Sequence, residues 1–316
     1  MSTNAAWGGD RLDLEAYLAR IGYEGDRRPT LETLRALHAA HLASIGFENL
    51  EIVLGRPVLL DLESLQTKMV AQRRGGYCYE QNLLYASALD RLGFRISGLC
   101  ARPRMGDRRI RPATHALLKV ELDGEDWITD VGFGAEGLLE PLPLRDGVES
   151  HQGEWAFDLV HEKETETRNE TETVKGTETG KETKTGKEAK PGKEAETQEE
   201  ADPEAEAWVL RTRHADDWFE LYAFGTERRF PVDYAVFNHY ISTHPRSPFT
   251  GQMVVQRPSR ELRRTLIGRE YAVTRPDGTR EAHEVSPQEL PDLLATEFDI
   301  TLTAADARAL VAFHER

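Results

Sequence analysis

The chain has 316 residues and a formal net charge of −15, so it is long enough for two or three domains. This acidic balance argues against a general nucleic-acid binder, because phosphates repel an acidic surface. Two cysteines cannot build a disulfide framework, the first residues lack a signal-peptide pattern, and no apolar run approaches the roughly 18 residues of a membrane span. We therefore expect a soluble, cytoplasmic protein without membrane contacts, whose thiols stay reduced.

The first part of the chain predicts a helical bundle. Apolar spacing indicates a helix that ends at Gly22, a second helix capped by Thr30 and a third capped by Asp61. A fourth helix carries Leu84, Tyr85 and other apolar residues at three- to four-residue spacing, which is typical of one buried face.

Cys78 lies in the first turn of this fourth helix, directly after Gly75 and Gly76. Unpaired backbone N–H groups and the positive end of the helix dipole stabilise a thiolate there, and the glycines allow other atoms to approach the backbone closely. The alternative is a small core residue, which is the more common role of a lone cysteine. We treat Cys78 as a candidate nucleophile.

From Phe94 onward the apolar period changes to two, which predicts strands. Residues 114–122 and 127–131 alternate on either side of Asp123-Gly124, a strong hairpin signal. Residues 218–222 predict another strand. A basic loop follows the first strand, and we favour a solvated loop over an anion-binding site for its arginines: Arg102, Arg104, Arg108, Arg109 and Arg111.

Residues 162–207 differ in composition from the rest of the chain. They hold 15 acidic and 8 basic residues, no aromatic residue and one large aliphatic residue, Val174. Such a segment buries too little apolar surface to offset its ordering entropy. The flanking residues 155–160 and 208–212 alternate like strands. The pattern predicts a disordered insertion in a hairpin, with no function of its own.

The last part of the chain mixes helices and strands. Residues 232–241 predict a helix that runs into a turn-rich linker, and strands lie on either side of Asp277-Gly278. Residues 286–289 match a capping box with Pro287 at the first helical position, and Thr303 caps a final helix.

The hairpin at Asp123-Gly124 tests whether Cys78 has catalytic partners. A two-residue turn pairs Leu122 with Glu125, which places His115 and Asp130 on one face as diagonal neighbours within side-chain reach. A four-residue turn gives the same face, whereas a three-residue turn reverses it. Alone, His115 reads as a structural histidine. Together, the thiol, imidazole and carboxylate form a nucleophile, a base and an orienting group.

Other motifs are weaker evidence for a functional site. Residues 132–137 match a dinucleotide-binding fingerprint, but Pro141 and Pro143 prevent the helix that this motif needs. Cys100 has no histidine or acid at close spacing, so we expect buried packing for it. No grouping has the spacing of a zinc site, and we expect no metal.

Five motifs together resemble the arylamine N-acetyltransferases, in order and separation, over nearly the whole chain outside the insertion. They are residues 47–50 (Phe-Glu-Asn-Leu), 74–78 (Arg-Gly-Gly-Tyr-Cys), 114–115 (Thr-His), 130–134 (Asp-Val-Gly-Phe-Gly) and 242–245 (Ser-Thr-His-Pro). The resemblance implies an α+β fold with an N-terminal helical bundle (1–90), a central antiparallel β-barrel (91–230, with the insertion) and an interdomain helix with an α/β lid (231–316).

The resemblance also implies acetyl transfer from acetyl-CoA, as acyl-donor substrate, to a small arylamine, arylhydrazine or arylhydroxylamine. By motif position it implies Cys78, His115 and Asp130 as the catalytic triad. It further implies Phe47 and Phe133 as acceptor-pocket walls and Thr114 as a contact at the thiol end of the coenzyme. The sequence does not indicate the preferred amine, the acyl-chain preference or the oligomeric state.

Three alternatives use similar features. A cysteine amidase or transglutaminase-like enzyme has the same triad and needs no coenzyme A. Amide synthases that close macrolactams share the motifs of this wider superfamily. A non-enzymatic binding module keeps the pocket and tolerates loss of the thiol.

Overall fold

The computed structural model describes residues 6–163, 206–215 and 217–315. Its α-helices are α1 (Leu14–Ile21), α2 (Leu31–Ser44), α3 (Leu50–Val53), α4 (Leu62–Leu65), α5 (Cys78–Arg91), α6 (Pro231–Thr243), α7 (Leu290–Phe298) and α8 (Ala304–His314). A 3-10 turn spans Gly9–Arg11, and a π-helical segment, Gln66–Ala71, continues α4. None of these described helices combines the length and the apolar character needed to cross a membrane.

The strands form two sheets. They are β1 (Phe47–Glu48), β2 (Arg95–Pro103), β3 (His115–Leu122), β4 (Glu125–Thr129), β5 (Leu142–Pro143), β6 (Val148–Gln152), β7 (Trp155–Lys163), β8 (Glu206–His214), β9 (Asp217–Phe224), β10 (Val254–Pro258), β11 (Arg263–Ile267), β12 (Glu270–Thr274) and β13 (Arg280–Glu284). Eight of them form an antiparallel, nearly closed barrel in the order β5-β4-β3-β2-β9-β8-β7-β6, and the end strands β5 and β6 lie beside each other.

The helix α5 lies at the centre of the molecule. The sequence pattern predicts one buried face, but every residue from Cys78 to Leu89 is buried. The reason is that α5 packs between the other helices and strands β2 and β3 of the barrel, so its polar residues Gln81 and Asn82 are enclosed as well. The predicted face, with Leu84, Tyr85, Ala88 and Leu89, is buried as expected, but the burial extends to the other sides of the helix as well.

The second sheet combines a short strand from the N-terminal part of the chain with four strands from the C-terminal part. Its order is β1-β10-β11-β12-β13, and β1 pairs through Phe47 with Gln256 and through Glu48 with Val255. The sequence predicts a helical bundle over residues 1–90 with no strand in it, yet Phe47–Glu48 is an edge strand of the C-terminal sheet. Helices α7 and α8 cover that sheet and share a core with it. The division at residues 90 and 230 stays a prediction.

The two predicted hairpins form. Leu122 pairs with Glu125 across Asp123-Gly124, as the two-residue turn requires. Strands β7 and β8 also pair, from Phe157–Thr212 to Lys163–Glu206. The predicted insertion is therefore narrower than 162–207 at its ends, and the rest of it lies outside the described residues.

Two local predictions were wrong. Helix α7 begins at Leu290, although the hydrogen bond from Ser286 N to Glu289 Oε2 exists at 3.1 Å, so this pair closes a turn before the helix. The prediction of a solvated basic loop holds for Arg108 and Arg109, which are exposed, but is wrong for Arg104, which is buried and binds Glu162 and Glu220 at 2.9 and 3.1 Å. The Arg104 guanidinium is thus bound by the carboxylates of Glu162 and Glu220 and does not face solvent.

Candidate active site

Cys78 is the first residue of α5, and the preceding glycines fix where that helix starts. A Cβ on Gly75 would lie 2.2 Å from the Gly46 carbonyl oxygen, so only glycine fits there. Gly76 N donates to the same oxygen at 3.2 Å, and the Gly76 carbonyl accepts from Glu48 N at 3.1 Å. Cys78 is buried, and its Sγ lies 3.9 Å from the Thr114 carbonyl oxygen.

His115 and Asp130 meet as the hairpin register predicts. Nε2 of His115 donates to Asp130 Oδ2 at 2.6 Å, and both side chains are buried. Because Nε2 is engaged by the carboxylate, Nδ1 is the ring nitrogen available to the Cys78 thiol. The imidazole is clamped by Phe133, edge-on at 4.9 Å between ring centroids, and by Tyr222 at 5.0 Å.

The Asp130 carboxylate has a full set of hydrogen-bond donors. Oδ1 accepts from Asn82 Nδ2 at 3.1 Å and from Gly132 N at 2.9 Å, while Oδ2 also accepts from the Tyr222 hydroxyl at 3.1 Å. Asn82 in turn donates to the Ala116 carbonyl at 2.8 Å. A buried carboxylate with this many donors stays ionised and keeps a fixed orientation.

The positive charge of His115 and the negative charge of Asp130 stabilise each other. Burial alone would lower the pKa of His115, but the Asp130 charge and hydrogen bond, with a smaller contribution from Cys78, raise it to about 10. Burial alone would raise the pKa of Asp130, but the His115 charge lowers it. The imidazole is therefore protonated at neutral pH and faces the thiol as a cation.

The thiol and imidazole border a cavity of about 550 Å³. Its lining is mostly apolar, as is usual for small-molecule sites. The polar and charged residues of its wall are Arg111, Thr114, Glu136, Arg246 and Gln256, besides Cys78 and His115, and its aromatic residues are Phe47, Phe133, Tyr240 and Phe249.

The three substrate and coenzyme contacts assigned by resemblance, Phe47, Phe133 and Thr114, all border this cavity. Phe47 lies in β1 and packs against Phe249 at 5.8 Å between ring centroids. Phe133 packs on His115, and Thr114 presents its carbonyl towards Cys78 while its hydroxyl donates to the Pro112 carbonyl at 3.2 Å. Their roles stay predictions.

Sequence reasoning assigned no role to Tyr222, Asn82 or Glu136. Tyr222 lies in a predicted strand, but no local pattern shows that β9 pairs with β2 and so lies near the triad. Asn82 could have been found, because it is one helical turn after Cys78 and faces the same way. Glu136 lies in the residues that resemble a dinucleotide fingerprint.

A second cavity, of about 630 Å³, lies away from the triad, between α4, the π-helical segment and α8. Its cationic side chains pair with carboxylates of the same wall: Lys68 binds Glu80 at 2.7 Å, Arg56 binds Asp306 at 2.7 Å and Arg74 binds Glu51 at 3.3 Å. No triad residue borders it. Within the described residues, no group of His, Cys, Asp and Glu side chains is arranged to hold a metal ion.

Comparisons with known proteins agree with this geometry. An N-acetyltransferase family model matches residues 30–307. An arylamine N-acetyltransferase of Mycolicibacterium smegmatis is 34% identical over 310 residues, which cover 95% of this chain and 98% of the relative. The chain belongs to the arylamine N-acetyltransferase family.

Solved structures of arylamine N-acetyltransferases share the whole fold. The enzyme of Nocardia farcinica has a TM-score of 0.82 and 41% identity, covering 100% of this chain and 99% of that one. The Mycobacterium marinum enzyme in complex with CoA has a TM-score of 0.76 and 31% identity, covering 96% of this chain and 98% of that one. The predicted family and α+β fold class are confirmed.

Proposed function

We propose that this member of the arylamine N-acetyltransferase family transfers an acetyl group from acetyl-CoA to an arylamine, arylhydrazine or arylhydroxylamine through an acetyl-Cys78 intermediate. The observation that carries the proposal is the 2.6 Å contact between His115 and Asp130, beside a thiol at a helix start in a cavity wall. The place of action is the cytoplasm, where a reducing environment keeps the thiol free.

In the first half-reaction the Cys78 sulfur attacks the carbonyl carbon of the acetyl thioester. The protonated His115 and the α5 N-terminus favour the thiolate that makes this attack. The bond between the acetyl carbon and the coenzyme sulfur breaks, and the coenzyme leaves as its thiol with the proton from His115. Cys78 then carries the acetyl group as a thioester.

In the second half-reaction the amine nitrogen attacks the acetyl carbon, and the bond from that carbon to the Cys78 sulfur breaks. The neutral His115 takes the proton of the attacking nitrogen, which restores the thiolate and the imidazolium. Asp130 keeps the ring oriented and stabilises its positive form throughout. Phe47 and Phe133 supply flat apolar walls for an aromatic acceptor.

The cavity wall also suits the donor. Arg246 is exposed, and neither its hydrogen bonds nor its ion pairs among the described residues include a carboxylate, so its guanidinium is available to a phosphate. Arg111 lies on the same wall, next to the segment that carries Thr114. The M. marinum relative forms a complex with CoA, which agrees with this assignment.

The matched relatives carry the arylamine N-acetyltransferase name, which favours acetyl transfer over a macrolactam-forming amide synthase, a cysteine amidase or a binding module. The test is to mix the protein with acetyl-CoA, without amine, and to measure intact mass. We expect one acetyl group, located on Cys78 by peptide mapping.

Cys100 provides the matched control, because the chain has two cysteines and burial raises the pKa of Cys100 to about 12. Cys100→Ser should still acquire one acetyl group and transfer it to an arylamine, whereas Cys78→Ser should do neither. Acetylation of Cys78→Ser to the same extent as the unaltered protein would refute the covalent mechanism.

A further inference from the structure

Glu136 is an acidic side chain in the wall of the reaction cavity, and the proposed mechanism gives it no task. It lies in the tight turn from Gly134 to Gly137, which is closed by a hydrogen bond from Gly137 N to the Gly134 carbonyl at 3.1 Å. Gly134 has a φ of +95°, and a Cβ there would lie 1.9 Å from Gln256 Oε1, so the backbone of this turn is closely constrained.

The partners of Glu136 leave one of its oxygens open. Arg263 Nη1 and His214 Nε2 both contact Oε2, at 2.6 and 3.0 Å. Among the described residues, none donates a hydrogen bond to Oε1. The Glu136 side chain is 27% exposed, and the residue borders the cavity.

The partners are themselves held in place. Arg263 is buried, lies 3.6 Å from the centre of the Trp155 ring, and donates to Thr212 Oγ1 at 3.4 Å. His214 stacks on Phe219 with 4.4 Å between ring centroids. The carboxylate is therefore fixed from behind and cannot easily turn away from a ligand in the cavity.

The carboxylate is also ionised at neutral pH. Burial alone would raise the pKa of Glu136, but the hydrogen bond from His214 and the charge of Arg263 lower it. Glu136 lies three residues after Phe133, whose ring packs on His115, and the Ala135 N–H binds Gln256, which pairs with Phe47. Glu136 thus shares the cavity wall with both aromatic residues proposed for the acceptor.

We infer that Glu136 determines acceptor specificity by charge, favouring aromatic amines that carry a second hydrogen-bond donor or cation and disfavouring those that carry a carboxylate. This inference rests on the proposed acetyl transfer. A free carboxylate oxygen accepts a hydrogen bond from an ammonium, amidinium or amide group, whereas it repels an acceptor's own carboxylate.

The test compares 4-aminobenzoate with 4-aminobenzamidine, which present an anion and a cation at the same ring position. In a ping-pong reaction, kcat/KM for the acceptor reports only the steps from acetyl-enzyme onward, so the ratio of the two values measures acceptor selection. Dividing the ratio of a variant by that of the unaltered protein removes the difference in intrinsic amine reactivity. Glu136→Gln should raise the benzoate-to-benzamidine ratio by about tenfold.

Glu140→Gln is the matched control. Glu140 lies in the same connection, has a similar side-chain exposure of 25%, and pairs with Arg260, but it does not border the reaction cavity. The control removes the same charge from the protein, so its ratio should stay within about twofold of the unaltered value. A comparable change in both variants would overturn the inference, because the effect would then be one of overall charge.

Loss of Glu136 leaves Arg263 buried without its anionic partner, which can prevent folding. The double variant Glu136→Gln/Arg263→Met removes both charges and should raise the ratio in the same direction, by less than the single variant because a cation behind the wall is lost as well. A change of less than about twofold in whichever of these two variants folds would refute the role of Glu136. Acetylation of Cys78 in the unaltered protein, measured without any amine, separates this result from a failure of the proposed function: its absence would refute the proposed function itself.

Discussion

Asn82 donates a 3.1 Å hydrogen bond to the carboxylate of Asp130 from a position one helical turn after Cys78. The same side chain donates to the Ala116 carbonyl at 2.8 Å and accepts from Val131 N at 3.3 Å. One amide therefore connects the helix that carries the nucleophile to β3, which carries the histidine, and to the residues directly after β4, which include the carboxylate. The relative placement of thiol and imidazole depends on it.

Asn82→Ala should lower kcat/KM for acetyl transfer by about ten- to a hundredfold, because a hydrogen bond to a charged group is worth about 1.5–3 kcal/mol. Asn82 is one of the groups that lower the pKa of Asp130. Its loss should therefore move the acid limb of the pH–rate profile to higher pH.

The pH profile distinguishes positioning from a merely structural role. Gln152→Ala removes another buried amide, which binds Leu139 N at 2.6 Å outside the site. It should cost stability without moving the acid limb. An unmoved acid limb in Asn82→Ala would contradict the proposed role of Asn82.

Asp130→Asn should reduce kcat/KM by at least about a hundredfold, because an amide can hold the His115 ring but cannot stabilise the imidazolium. Steady-state kinetics with one arylamine measures the effect, and urea unfolding checks the fold. Asp158→Asn is a suitable control, since Asp158 is a buried barrel carboxylate that binds Arg211 Nε at 2.8 Å away from the cavity. A loss of kcat/KM of less than about tenfold would rule out the proposed role of Asp130 in orienting His115.

The sequence predicts the His115–Asp130 contact because that contact is local. It needs only the period of two and the length of the turn at Asp123-Gly124, and both are visible in the residue pattern. Tyr222, by contrast, reaches Asp130 from β9, and the choice of β2 as its neighbour strand has no local signal. The burial of α5 on all sides is missed for the same reason. Packing by elements that are distant in the sequence does not change the period of apolar residues within the helix.

Two buried histidines should make the protein sensitive to acid. His38 binds Thr129 Oγ1 at 3.0 Å and His41 binds the Tyr17 hydroxyl at 2.9 Å. Burial lowers the pKa of His38 to about 4 and that of His41 to about 3. Below about pH 6.5 the unfolded chain binds protons that the folded protein does not, so stability falls as the pH falls towards these values.

Urea unfolding at pH 7 and pH 5 measures this loss, to which each histidine contributes about 2 kcal/mol. Glutamine cannot be protonated in this range. In His38→Gln the difference in the free energy of unfolding between pH 7 and pH 5 should therefore shrink by about that amount. His239 is exposed on α6, and His239→Gln should leave the difference as it is. Equal differences in all three proteins would show that His38 is protonated in the folded state.

Removing residues 164–205 should leave kcat/KM for acetyl transfer within about twofold of the value of the unaltered protein. The last described pair between β7 and β8 is Lys163 with Glu206, so an Asn-Gly linker can close the hairpin directly. The deleted composition predicts no core, and each halving of a flexible loop lowers the closure cost by only about 0.6 kcal/mol. Thermal unfolding should therefore change little. A large loss of turnover with the fold retained would assign the segment a role at the site.

The strand β1 has a consequence for how acceptor preference can change. Two residues of the N-terminal half, Phe47 and Glu48, form the edge of a sheet otherwise made by the C-terminal quarter of the chain. Phe47 thus takes its position from β10 while its ring lines the reaction cavity. Substitutions in β11, or at the β10 positions that do not border the cavity, can therefore shift Phe47 and with it the acceptor wall. Selection for new aromatic amines should recover variants in this sheet as well as among the residues that touch the ligand.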